Sequence, residues 1–174
     1  MQIAMSRTRE QFPLSPRKII KKTLARTIAW VILFVIIIGV LVAVGVTADS
    51  RAATRGIVAV AALAAGSLLG FIVLLTYLYQ WWYFAVYYYD LTSDYVVIRK
   101  GPITPSEITI PYERIQDVYV DQDLLDRFFG LYDVHISTPT VDSGRFAHID
   151  GVDKVGSKKL KLMILERVNT SSET

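Results

Sequence analysis

The sequence predicts two transmembrane α-helices followed by a cytoplasmic α+β domain. Three observations carry that prediction: two long apolar runs with Arg26 as their one charge, an aromatic cluster closing the second, and short alternating segments beyond it. The implied organisation is a basic amino-terminal segment over 1–23 and a helical hairpin over 24–84, a domain over 85–168 and a polar tail over 169–174. Within the hairpin the spans fall at about 24–46 and 57–82, with the loop 47–56 outside.

From Leu24 to Val46 the only charged residue is Arg26. Thr27 to Val46 then supplies the length of about 20 residues that a helix needs to cross the hydrocarbon core. A signal peptide with Val46 and Ala48 at the cleavage site is disfavoured, because the apolar run exceeds the roughly 7–15 residues such peptides use. The second uncharged run extends from Gly56 to Tyr89. It is longer than one span, and its end carries Tyr77, Tyr79, Trp81, Trp82, Tyr83 and Tyr87 to Tyr89. Rings of this kind gather at headgroup level, so Trp81, Trp82 and Tyr83 are expected at the membrane interface. Uncharged helices without a polar side do not suit the surface of a soluble core.

Charge sets the orientation. Residues 1 to 89 hold nine Lys/Arg against Glu10 and Asp49, a balance of +7, and residues 90 to 174 hold ten against fourteen acidic residues, a balance of −4. Seven of the basic residues precede or begin the first span, whereas the short connection to the second has only Arg51 and Arg55. The positive-inside bias therefore predicts a multi-pass protein of the cell membrane with both termini cytoplasmic. Ser15 and Pro16 read as a helix start, cap then first helical position. On that basis the helix begins outside the bilayer, and Lys18, Lys21 and Lys22 are expected at anionic headgroups. A nucleic-acid role is excluded for the domain, since it lacks clustered positive charge.

Beyond Tyr89 turn residues punctuate alternating segments. Thr92-Ser93-Asp94 turns into a strand over Tyr95 to Lys100, which ends at Gly101-Pro102. Glu107 to Ile110 is strand-like, and Pro111 requires an edge, bulge or break. Ile115 to Asp121 alternates, Leu124 to Phe129 closed by Gly130 suits one helical turn, and Leu131 to Thr138 returns to strand with Tyr132, Val134 and Ile136 inward. After the loop 139–144, Arg145 to Asp150 pairs back as a hairpin. A final helix puts Leu160, Met163, Ile164 and Val168 on one side behind Ser157 as cap.

Three runs now carry a resemblance: Leu91-Thr-Ser-Asp-Tyr-Val-Val-Ile-Arg-Lys-Gly101, Ile110-Pro-Tyr-Glu-Arg-Ile-Gln-Asp-Val118 and Asp126-Arg-Phe-Phe-Gly-Leu-Tyr-Asp-Val-His-Ile-Ser-Thr138. Together they resemble the prokaryotic pleckstrin-homology-like family once called the membrane-flanked domain, over roughly 85 to 168. The resemblance implies a PH-like antiparallel, partly open β-barrel with a C-terminal helix, placed after paired transmembrane helices. Pro139, and Val-Gly-Ser at the entry of the last helix, depart from the pattern and bear on the last hairpin.

Lipid-binding relatives in the wider superfamily place bases around the first inter-strand loop. Here that loop is Leu91-Thr-Ser-Asp94, with no base, and Arg99 and Lys100 lie at the far end of the next strand. Arg99, Lys100, Arg114 and Arg127 are the candidate binding cations, although Arg114 and Arg127 also suit salt bridges to Glu113, Asp117 or Asp126. Catalysis has no constellation to carry it, so a non-enzymatic chain without cofactor is expected. One metal possibility stands out. A symmetric last hairpin opposes His135 to His148 and Asp133 to Asp150 on one side of the sheet, a donor set for Zn²⁺ or a similar ion. The alternative is a solvated polar sheet surface. The sequence thus points to a membrane-anchored adaptor whose partners are the lipid bilayer and another protein or further copies of itself. A lipid-headgroup sensor is the alternative.

Overall fold

The computed structural model describes residues 7–47, 52–139 and 147–172. The chain divides into two compact units, residues 22–81 and residues 1–21 joined with 82–174.

The first unit is made from the helices α2 (Arg17–Thr47) and α3 (Ala52–Val86), both long and apolar enough to cross a membrane. Each runs past its expected span, because helix continues into the polar flanks once nucleated. Most of their large apolar side chains are covered by no other part of the protein. The one charge of the first run is accommodated locally. Gln80, with its amide oxygen turned toward Arg26, accepts from Arg26 Nε at 3.1 Å and Nη1 at 3.2 Å, while the guanidinium lies 5.5 Å from the Tyr79 ring. The connection 48–51 and the cleavage-site reading at Ala48 lie outside the described residues.

Among the described residues the second unit holds six strands. β1 (Tyr88–Leu91), β2 (Tyr95–Lys100) and β3 (Ser106–Pro111) form one antiparallel sheet in that order. β4 (Asp117–Asp121), β5 (Tyr132–Ser137) and β6 (His148–Val152) form another. Pro111 ends the edge strand β3, where its missing N–H removes no interior ladder bond. A 3₁₀ turn, Tyr112–Arg114, leads from the first sheet to the second, and the short helix α4 (Leu124–Phe129) joins β4 to β5. Asp123 caps α4 by accepting from the Asp126 N–H at 2.6 Å, and Gly130 closes it in the left-handed conformation at φ 68°.

The inward residues Val96, Ile98, Val118, Val134, Ile136 and Ile149 build a single core, which Leu160 and Ile164 of α5 (Lys154–Ser172) cover. This is the strand-rich domain with a carboxy-terminal helix that the alternation predicts. Four details differ. α5 starts three residues before Ser157 and is capped by Asp153, whose Oδ1 accepts from the Gly156 N–H at 2.9 Å. β6 runs to Val152 rather than ending at Asp150, and residues 140–146, with the strand start expected at Arg145, lie outside the described residues. Tyr87 and Tyr89, expected among headgroup rings, are fully buried: β1 starts just after α3, and its alternation turns Tyr89 into the core.

The amino-terminal segment is the fourth. A short helix α1 (Arg7–Gln11) packs on β1, where Thr8 Oγ1 accepts from the Leu91 N–H at 3.2 Å and Tyr89 Oη donates to the Phe12 carbonyl. Leu14 is buried in the core, and the Ser15 N–H donates to the Gly151 carbonyl at 2.8 Å. The domain boundary expected at residue 85 is therefore incomplete, since residues 7–21 complete the same unit.

Candidate functional site

The outward side of the second sheet is acidic. Asp121 ends β4, Asp133 lies in β5, Asp150 lies in β6, and Asp123 and Asp126 belong to the α4 turn. Carboxylates this close require compensation, and the first turn of α2 provides it. Lys18 Nζ stands 3.1 Å from Asp150 Oδ2 and donates to the Asp150 carbonyl at 3.2 Å. Lys21 Nζ pairs with Asp126, lies 2.9 Å from Asp123 and 4.0 Å from Asp133. The lysines are 3 % and 4 % exposed. Their expected place at lipid headgroups is thus corrected for Lys18 and Lys21. A lysine sealed against carboxylates gains more than one screened by water at a surface, and one helical turn carries both to the same acidic patch. Lys22 is half-buried beside them in sequence. Trp81 and Trp82 are exposed, whereas Tyr83 packs partly against the core.

The site shapes its own charges. Burial, then the carboxylates of Asp150 and Asp126, push the Asp133 carboxyl above its ordinary range. For Asp123 burial acts in the same direction, but the Asp126 N–H and Lys21 outweigh it and hold the carboxyl below its ordinary range.

Gly151 makes the approach of Lys18 possible. It sits at φ +76°, and a Cβ there would stand 2.8 Å from Lys18 Cδ and 3.0 Å from Lys18 Cβ. The same glycine lies at a bulge. Tyr132 pairs with Val152 while Val134 pairs with Ile149, so Asp150 and Gly151 together oppose Asp133. The Gly151 N–H donates to Asp133 Oδ1 at 2.7 Å.

That bulge revises the four-ligand set. His135 does oppose His148, and the rings stack at 5.3 Å, with Tyr119 stacked on the other side of His135 at 4.9 Å. Asp133 and Asp150, however, are not a directly facing pair, and each is engaged elsewhere. His148 Nε2 lies 2.7 Å from Asp150 Oδ1, next to the Lys18 pair, and His135 Nε2 lies 3.1 Å from Asp121 Oδ1. The donors that do converge are those of Asp121, Asp133 and His135, within 4.8 Å of one another. Asp121 went unrecognised in the sequence, although period-two pairing of β4 with β5 carries the signal.

The candidate binding cations are dispersed. Arg99 pairs across β1 and β3 with Tyr88 and Glu107, and Lys100 is buried with Nζ 5.6 Å from the Tyr87 ring. Arg114 and Arg127 are exposed on separate elements, and Asp126, offered as an Arg127 partner, is taken by Lys21. At the β1–β2 turn a cleft of about 670 Å³ is lined by Asp94, Glu113, Glu166 and Arg167, with Ser93 and Thr170. Arg167 Nη1 is committed to the carbonyls of Leu91 at 3.1 Å and Thr92, and to Tyr112 Oη at 3.3 Å. Burial pushes the Tyr112 hydroxyl up to about 12, against the opposing pull of Arg167.

Residues 23–168 match the family model described as "Bacterial PH domain". No curated protein and no solved structure matches the chain.

Proposed function

The chain belongs to the bacterial PH domain family, and on that premise we propose a non-catalytic module, anchored in the cell membrane by α2 and α3, that binds a protein partner or further copies of itself at the cytoplasmic side. The uncovered apolar surfaces of α2 and α3 support the anchor, since such area is stable only in an apolar solvent. The excess of basic residues before the first span supports cytoplasmic termini.

One observation favours a protein over a lipid headgroup as ligand. The cleft at the β1–β2 turn presents three carboxylates, and its arginine is spent on backbone carbonyls. A phosphorylated headgroup entering there meets an adverse potential, whereas a basic peptide meets a favourable one. Crosslinking in native membrane followed by mass spectrometry tests the reading. Recovery of the same partner, or of dimers, from wild type and its loss from Asp94→Lys/Glu166→Lys supports it; monomer alone in every sample ends it.

A further inference from the structure

Helix α5 is charged in opposite senses toward its two ends. Residues 154–161 hold Lys154, Lys158, Lys159 and Lys161 without an acidic residue, in a half of the chain whose balance is negative. Lys154, Lys158 and Lys161 recur after four and then three residues, so one side of the helix presents them. They line a cleft of about 370 Å³ against Val120 of β4 and Tyr132 of β5. Asp121 also lines it, with His135 Nε2 at 3.1 Å from its carboxylate. Among the described residues none of the three ammonium groups has an ion-pair partner.

The carboxy-terminal half of α5 carries the reverse. The cleft at the β1–β2 turn sets Asp94, Glu113 and Glu166 against Arg167, whose guanidinium is held by backbone carbonyls. All three acidic residues are exposed, and among the described residues none of them is ion-paired. Each cleft thus has three charges of one sign against one of the other, with the signs exchanged between them. Met163, Glu166 and Thr170, which line the acidic cleft, lie roughly 150° around the helix axis from the three lysines, at about 100° per residue. The clefts therefore open on opposite sides of α5. A two-fold contact joins a patch to itself, so a contact that brings these two patches together is head-to-tail.

We propose that the two clefts are the two halves of one interface between copies of this chain: the lysine side of α5 in one copy receives Asp94, Glu113 and Glu166 of the next. This rests on the reading above that the module binds further copies of itself, and it names the surfaces that meet. Charge complementarity selects the occupant, since the molecule carries the acidic counterpart of its own basic cleft. Ion pairs at a surface are individually weak and screened by salt, so association requires several at once and falls with ionic strength. A head-to-tail pair keeps one free cleft of each sign, and growth continues until a ring closes or a filament forms.

The absence of cysteine allows a single label site, Thr174→Cys. The full chain carrying a donor or an acceptor dye is reconstituted into vesicles of phosphatidylethanolamine and phosphatidylglycerol. Wild type is expected to show energy transfer above that of randomly dispersed chains, with a several-fold loss at high salt. Lys154→Glu/Lys158→Glu and Asp94→Lys/Glu166→Lys are each expected to lose the transfer. Donor chains of one variant mixed with acceptor chains of the other are expected to regain it, because each supplies the cleft that the other lacks. Unfolding curves in detergent establish that the variants fold. Where a reversal does not, Lys158→Gln/Lys161→Gln decides: it removes charge without reversing it and is expected to lower transfer on its own. Unchanged transfer in that variant, or no recovery in the mixture of two folded variants, overturns the inference. Transfer that survives both reversals puts the contact between copies elsewhere, which overturns the two clefts and leaves self-assembly standing. Chance-level transfer in wild type also overturns the inference. The crosslinking described above then separates a module with another protein as partner, which keeps the earlier reading, from a monomer, which ends both.

Discussion

Lys18 and Asp150 lie 132 residues apart and meet 3.1 Å apart with both side chains almost sealed from solvent. The ammonium also stands 4.0 Å from the centre of the Tyr87 ring, whose hydroxyl donates to the His148 carbonyl at 2.9 Å. The first turn of α2, the residue after α3 and the last strand are thus joined at one point. Removing the Lys18 charge leaves the buried Asp150 carboxylate without its ammonium, with His148 Nε2 still 2.7 Å away. Lys18→Met is expected to lower stability by about 3–5 kcal/mol, and Lys18→Met/Asp150→Leu by clearly less. Thermal unfolding of the full chain in detergent reads both; equal losses for the single and double variants refute the pairing.

Gly151→Ala combines two penalties. The residue sits at φ +76°, and the added methyl meets Lys18 Cδ at 2.8 Å. The left-handed conformation alone costs about 1–2 kcal/mol for a residue with a Cβ. Gly151→Ala in a Lys18→Ala background should therefore cost less than in wild type, because the contacts with Lys18 Cδ at 2.8 Å and Cγ at 3.2 Å are gone and only that with Cβ at 3.0 Å remains beside the conformational part. A cycle of four unfolding curves measures the difference, and strict additivity excludes the close approach.

The Asp133 carboxyl is held above its ordinary value near 3.8, first by burial and then by Asp150 and Asp126. The folded state consequently keeps a proton that the unfolded chain has released. Stability contributed by Asp133 falls as pH rises from that ordinary value through the folded-state value, and is level above it. Asp133→Asn keeps an acceptor for the Gly151 N–H and removes this fall. Unfolding free energies compared from about pH 3 to 7 are expected to diverge in this way; parallel profiles speak against a raised Asp133.

Residues 7–21 complete the domain unit. A fragment spanning 85–168 loses Leu14 from its core and strands Asp126 and Asp150 without their lysines. It should show poor dispersion in a two-dimensional amide spectrum, and a peptide of residues 7–23 added in trans should sharpen it. A well-dispersed fragment that ignores the peptide contradicts the assignment.

Much of the architecture is legible locally. The strand Tyr95–Lys100 and the helix Leu124–Phe129 follow from alternation and from Gly101 and Gly130, because strand period and turn chemistry act over a few residues. The apposition of His135 and His148 follows from hairpin symmetry near the turn. The bulge at Asp150–Gly151 then displaces Asp133, since one extra residue shifts the register beyond it.

What the sequence determined by itself was the two apolar runs, the strand pattern and the opposed charges of the two halves, all properties of neighbouring residues or of sums. What the tertiary structure alone decided was which charges meet. Lys18 and Lys21 carry a plain signal of surface charge, yet they reach Asp150 and Asp126 only because the fold returns β6 and α4 to the first turn of α2. Ion pairing across more than 100 residues leaves no periodic trace in the chain, and burial turns it from a weak surface effect into a strong restraint.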